Sequence, residues 1–187
     1  MHRLVRKIED FTPADAREEE DARKIMGLLN AQGSACLYRD SFSPGHITTS
    51  VLLMSADGTR VLMNHHKSLQ KWQCIGGHVD GDFDVLAAAS RVMAEETGLL
   101  GFEAVSPGVF DLDIHPIPEN MKRNEPAHEH YDIRFLFRAT QDEECVPGDE
   151  SIELRWCGYD EALALVPPYA QSRTCRMLNK WKDRFAR

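Results

Sequence analysis

Residues 76–99 read GGHVDGDFDVLAAASRVMAEETGL, and the fold follows from how this stretch is built. A glycine-rich turn carrying Asp80, Asp82 and Asp84 runs into a helix that ends in Arg91, Glu95 and Glu96 and stops at Gly98. Glycines such as Gly76 and Gly77 let backbone approach a phosphate closely. Adjacent carboxylates attract hard divalent cations such as magnesium. Together these features predict a metal-dependent site for a phosphorylated substrate.

The helix is bounded by its own chemistry. Asp84 is an N-cap whose carboxylate can accept from the free amides of the first turn. Residues 85–97 contain no Gly or Pro and include four alanines, which favour helix. Gly98 supplies the left-handed residue that commonly closes a helix. At about 100° per residue, Val85, Ala89, Val92, Met93 and Glu96 share one broad face. Arg91 and Glu95 are four apart and can pair on its flank. Glu95 and Glu96 then sit where a packed stripe borders a cleft, and two carboxylates there repel unless a cation lies between them.

The stretch resembles the Nudix box: Gly, five residues, Glu, seven residues, Arg-Glu, an apolar residue, any residue, Glu-Glu, any residue, Gly and an apolar residue. Aligned from Gly77, the chain matches at Gly77, Arg91, Met93, Glu95, Glu96, Gly98 and Leu99. It departs at Phe83 and Val92, each standing where the box has a glutamate. The resemblance implies an α/β fold, the Nudix α/β/α sandwich with a mixed sheet between helices. It also implies that Glu95 and Glu96 bind magnesium or manganese and that Arg91 orients them while water attacks a diphosphate. Such chemistry is mostly positioning and charge neutralisation. The glutamate that Val92 replaces is, in the family, a metal ligand or activates the ligand water, and valine does neither. Disturbing even an indirect partner of a metal ligand costs roughly 10–100-fold. Phe83 matters less, because Asp82 and Asp84 flank it. The plain expectation for both Phe83 and Val92 is packing.

A second group of candidates lies in DLDIHPIPENMKRNEPAHEHYDIRFLF, residues 111–137. His115, His128, His130 and Asp132 fall within 18 residues, and His78 lies inside the box, in a chain with eight histidines. Neutral imidazole suits a transition ion better than magnesium. Tyr131, Ile133, Phe135 and Phe137 alternate with Asp132, Arg134 and Leu136, a strand pattern with His128 and His130 at its entry on the side of Asp132. The HxIP and PAHxHxD spacing is similar to that of a Nudix subgroup, which implies a site here. Gly76, Gly77, His78, His115, His128, His130 and Asp132 are therefore expected to meet substrate or a second, histidine-bound metal.

Composition narrows the class. With 187 residues, the chain is long enough for one domain with a real core. A hydrophobic content of 42% and a charged content of 28% suit a soluble globular protein. The net charge of −8 argues against binding nucleic-acid polymers or anionic membranes. A small phosphorylated substrate then needs local positive charge from metal, Arg91, Lys67, Lys71 or Arg134. Cys36, Cys74, Cys145, Cys157 and Cys175 form no CxxC pair and leave an odd thiol, so neither a disulfide framework nor a zinc knuckle is expected. MHRLVRKIEDF lacks the apolar core of a signal peptide, and no apolar run approaches the roughly 18 residues of a membrane span. A cytoplasmic location is expected.

The chain reads as a single Nudix domain over 1–187, with a helical preface over 1–43 and a core over 44–187. Thr12-Pro13-Ala14-Asp15 opens a helix with Pro at its first helical position, running to about Asn30. Its Ile25, Met26, Leu28 and Leu29 pack against the domain or form a homodimer contact. Strands are expected over 47–54, 61–64, 72–75, within 102–114, 131–140 and 154–158, and helices over 160–166 and 173–185. The first function this supports is a metal-dependent hydrolase cleaving a diphosphate bond in a nucleoside diphosphate linked to another group. The alternative is a ligand-binding or regulatory module silenced by Val92. An isopentenyl diphosphate isomerase shares the family fold, but that resemblance implies a cysteine directly before a Gly-His pair. Gly76 and Gly77 precede His78 and Cys74 is out of register, so this reading is set aside.

Overall fold

Residues 45–54 end in the apolar run Val51-Leu52-Leu53-Met54, and within 128–139 Tyr131, Ile133 and Phe135 alternate with Asp132 and Arg134; both segments are long strands in the computed structural model, which describes residues 1–141, 144–166 and 171–185. Five α-helices and eight strands are present among these: α1 (His2–Glu9), α2 (Ala16–Gln32), β1 (Gly45–Met54), β2 (Val61–His66), β3 (Lys71–Gln73), β4 (Ile75–His78), α3 (Val85–Thr97), β5 (Phe102–Ala104), β6 (Asp111–Ile117), β7 (His128–Ala139), β8 (Ser151–Cys157), α4 (Tyr159–Leu165) and α5 (Gln171–Phe185). The α/β class expected from the sequence is what the chain adopts. Hydrogen-bonded strands follow the order β3-β2-β1-β7-β5, with β4 on β1, β6 on β7 and β8 on β2. The chain divides into two units, residues 1–50, 77–89 and 107–135 in the first and the remainder in the second.

In the first unit β6 runs antiparallel to β7, aligning Asp111 with Arg134, Asp113 with Asp132 and His115 with His130. Side chains two apart on a strand share a face. His115, Asp113 and Asp111 therefore face the same way as His130, Asp132 and Arg134. β1 adds His46, Thr48 and Ser50, the last two donating hydroxyl hydrogen bonds to Asp132 at 3.1 and 2.8 Å. Gly45 is required by close approach: a Cβ there would lie 1.8 Å from the Glu129 carbonyl oxygen. Arg134 reaches Asp132, Asp111 and Asp113 at 2.7, 3.2 and 3.0 Å. It is enclosed with them rather than offered to a ligand, which corrects its reading as a source of positive charge for phosphate.

The preface differs from expectation at its start. Residues 2–9 form α1, which burial of Leu4 and Ile8 holds in place. Pro13 stands before α2, whose N-cap is Asp15, its carboxylate accepting from the Glu18 amide at 2.8 Å. Glu18 is wholly buried and accepts from the amide of Leu112 on β6 at 3.2 Å. Ile25, Leu28 and Leu29 are buried within the chain itself, the packing outcome for that stripe.

In the second unit β2 lies between β3 and β8, both antiparallel to it. Its Val61, Leu62 and Met63 are fully buried, as are Leu52, Leu53, Phe137, Leu178 and Trp181. α4 packs on β2 and on α5. The expected strand over 72–75 is two short strands, β3 and β4, and Gly76 and Gly77 lie in β4 rather than in the turn. The turn follows at Asp80 and Gly81, both with positive φ.

The charge balance around Arg134 gives a stability test. Removing one member of a buried ion network strands the others, typically at about 3–5 kcal/mol. Arg134→Met should lower the unfolding free energy by about that amount in urea denaturation, and adding Asp113→Asn should restore part of it. A loss below about 1 kcal/mol would show that the carboxylates are held by something else.

Candidate functional site

The sequence candidates assemble in two groups, one of carboxylates in the second unit and one of imidazoles in the first. α3 supplies the carboxylates. It spans the expected residues, Asp84 Oδ1 accepts from the Ala87 amide at 3.3 Å, and Gly98 closes it with φ +67°. Val85, Ala88, Ala89, Val92 and Met93 are buried along its packed face. Val92, at 4% exposure, packs as expected. Phe83 does not: it is half exposed, beside a cavity of about 340 Å³ that it lines with residues of α1. The residue ahead of the helix leaves the packed stripe, so an apolar side chain there finds no core to enter.

At the far end of α3, Arg91 Nη1 pairs with Glu95 Oε2 at 3.1 Å. Glu96 points elsewhere, accepting from the Ser151 hydroxyl at 3.3 Å. Residues 146–151 wrap this helix end, with the amides of Val146 and Gly148 donating to the carbonyls of Thr97 and Glu96 at 2.8 and 3.0 Å. That wrap brings more acid. Burial raises the pKa of Glu96, and the charges of Glu150, Glu95 and Asp149 raise it further against the lowering effect of Ser151. An all-oxygen donor set under mutual repulsion is what a hard divalent cation relieves. The three acids of the preceding turn are otherwise engaged: Asp80 forms a two-point pair with Arg39, Asp82 accepts from the Asp84 amide, and Asp84 caps the helix.

The imidazoles gather at one end of the stripe on β1, β7 and β6. His46, His78 and His130 each place a ring nitrogen within 4.8 Å of the other two. His128 and His115 stand alongside, their ring centroids 5.2 and 5.5 Å from that of His130. His115 Nδ1 meets Asp113 Oδ2 at 3.0 Å, and His128 Nδ1 meets the Pro126 carbonyl at 2.8 Å. Asp132 is not among them, being taken by Arg134, Thr48 and Ser50. β7 begins at His128, so His128 and His130 occupy its entry, and the strand starts three residues earlier than the expected 131. Burial, then the charge of Arg39, pushes His78 down to about 4. Burial, then His115 and His46, pushes His130 down to about 2. His46 is also lowered, chiefly by burial. These rings are neutral at neutral pH.

Sequence reasoning passed over His46. The only local signal was a histidine heading an apolar strand with Thr48 and Ser50 at steps of two; its partners lie more than thirty and eighty residues away, at His78 and His130.

A family model described as a NUDIX domain matches residues 44–176. A probable DHNTP pyrophosphohydrolase of Lactococcus lactis subsp. cremoris is 27% identical over 141 residues, covering 75% of this chain and 80% of that protein. An RNA pyrophosphohydrolase of Caulobacter vibrioides is 30% identical over 129 residues, covering 64% and 75%. Among solved structures, a C. elegans Ap4A hydrolase gives a TM-score of 0.57 at 14% identity, covering 73% of this chain and 95% of that one. The E. coli dihydroneopterin triphosphate pyrophosphohydrolase gives 0.54 at 16%, covering 74% and 94%. At such identities the structural likeness speaks for the fold alone. Among the described residues, no helix is long and apolar enough to cross a membrane.

The lowered histidines set a pH dependence. An unfolded histidine titrates near 6.5. Between that value and about 4, unfolded chain binds a proton that folded His78 refuses, so stability rises with pH across the window and falls as pH drops through it. Metal-free protein should therefore show a lower urea midpoint at pH 5 than at pH 7.5, with a shallower slope in His130→Gln. Equal midpoints at the two pH values would contradict this.

Proposed function

The chain belongs to the Nudix family, and from that premise we propose that it hydrolyses a diphosphate bond in a nucleoside diphosphate linked to another group. Glu95 and Glu96 are the residues that would hold magnesium or manganese. The observation that carries this reading is the crowding of Glu96 by Glu150, Glu95 and Asp149 at the end of α3, with the pKa of Glu96 raised. A divalent cation there supplies neutralisation of diphosphate charge and polarisation of water. Arg91 holds one carboxylate oxygen of Glu95, limiting its rotation. Ser151 does the same for Glu96. Lys71 has its pKa lowered by burial and then by the charge of Arg173; two cations near each other favour an anionic partner. The names of the similar proteins, pyrophosphohydrolases of DHNTP and of RNA, support hydrolysis of a diphosphate bond, and of the two substrates DHNTP is the small one that this reading favours.

A second reading rests on Val92. It is buried and stands where the family's box has a glutamate, which favours a module that binds the same ligands and turns them over slowly or not at all. The two readings separate in one assay. A panel of nucleoside diphosphate derivatives, together with dihydroneopterin triphosphate and 5′-triphosphorylated RNA, should include a member that is hydrolysed with magnesium or manganese. Glu96→Gln should reduce that rate at least about 100-fold, more than the loss of an indirect partner. Saturable binding without turnover, at high enzyme concentration, would establish the binding module instead.

A further inference from the structure

His46, His78 and His130 come from β1, from the end of β4 and from β7, so backbone pairing rather than a loop fixes their positions. We propose that these three imidazoles form a binding site for a zinc-class divalent transition ion, with one tetrahedral position left for water or an anionic oxygen. The carboxylates of Glu95 and Glu96 take no part in it, so it stands or falls apart from the hydrolase reading.

His46 is the most telling member. It is 1% exposed. Its Nδ1 lies 3.2 Å from the Ser41 carbonyl oxygen, which can only accept, so that nitrogen carries the proton. Nε2 is left with a lone pair, buried and without a hydrogen-bond partner among the described residues. A backbone carbonyl on the far nitrogen is how metal-binding histidines are commonly oriented. The three ring nitrogens lie within 4.8 Å of one another, against about 3.3 Å for nitrogens bound tetrahedrally to one zinc at about 2.0–2.1 Å. Binding of an ion would draw the three rings together by that difference.

The surroundings suit the ion's charge as well. Three neutral imidazoles leave its two positive charges uncompensated. The adjoining stripe places Asp111, Asp113 and Asp132 around the guanidinium of Arg134, so carboxylates lie close to where the ion's charge would sit. His115 joins the two regions, its Nδ1 on Asp113 and its ring 5.5 Å from that of His130. A nitrogen-only donor set selects zinc, cobalt or nickel over magnesium.

The test uses the full chain, stripped with chelator and then titrated with zinc chloride in the presence of excess magnesium. One zinc should bind per chain with a dissociation constant below about 1 μM. Cobalt should give the intense visible absorption of a tetrahedral site. His78→Ala and His130→Ala should each weaken zinc binding at least about 100-fold, beyond what an indirect partner costs, while Glu96→Gln keeps it. The cobalt spectrum of the unaltered protein answers even where a variant misfolds: a weak octahedral spectrum overturns the site. So does zinc affinity that survives both histidine changes, or that is lost in Glu96→Gln alone.

Discussion

Arg134 meets Asp111, Asp113 and Asp132 at 3.2, 3.0 and 2.7 Å, with all four side chains nearly removed from water. Burial by itself lowers the affinity of Arg134 for its proton, and the three carboxylates more than reverse this, holding it well above its ordinary value. Taking such charges out of water is costly, and attraction offsets the cost only when the geometry is good and the remaining lone pairs are satisfied. The rigid guanidinium fork supplies the geometry. Thr48 and Ser50 supply further donors to Asp132. Three strands are thus pinned in register at one level, and a slip of one residue would turn every one of these side chains to the opposite face. His46, His130 and His115 lie two residues further along the same strands. Their convergence follows from the ion network beside them.

Elements that announce themselves through local chemistry were legible in the sequence. α3 is bounded by an aspartate cap and a left-handed glycine and filled with alanine, and the structure follows that reading from Val85 to Thr97. β7 was visible because Tyr131, Ile133, Phe135 and Phe137 alternate with Asp132, Arg134 and Leu136. α1 was missed, because its eight residues carry too short an apolar pattern to stand out and what secures it is tertiary burial of Leu4 and Ile8. The start of α2 was placed at Pro13, whereas the competing cap, Asp15, has a carboxylate aimed at the Glu18 amide. Gly76 and Gly77 read as a turn because glycine marks turns, yet they lie in β4 and the reversal belongs to Asp80 and Gly81.

Long-range placement was the illegible part. Four candidates, His115, His128, His130 and Asp132, were grouped by nearness in the chain, with His78 added from the box, and nearness in the chain is a poor guide to nearness across strands. Asp132 shares a face with His128 and His130, but its charge is claimed by Arg134, two positions on along the same strand. His46 belongs to the group through pairing between β1 and β7, and nothing near it in the sequence signals that. Donor chemistry then separates what proximity could not. Oxygen donors at Glu95 and Glu96 match hard cations, and nitrogen donors at the histidines match borderline ones, so one chain presents two sets that would compete little for the same ion.

Val92 bears on how the carboxylate set works. On α3 its position falls within the buried stripe of Val85, Ala88, Ala89 and Met93, so a carboxylate there would need either a cation beside it or a repacked face. With valine, the acids of this helix are confined to Glu95 and Glu96 in its last turn. That is the end at which the helix dipole is negative and carboxylates are least favoured. Residues 146–151 partly answer this by donating the Val146 and Gly148 amides to the terminal carbonyls. The same segment adds Asp149 and Glu150 to the charge acting on Glu96. Dipole, neighbouring acids and partial burial all act in one direction, against a second proton-free carboxylate and in favour of a divalent cation. Under the hydrolase reading, valine at 92 would leave the electrostatic reason for a cation at Glu95 and Glu96 in place, without a further carboxylate on this face of the helix.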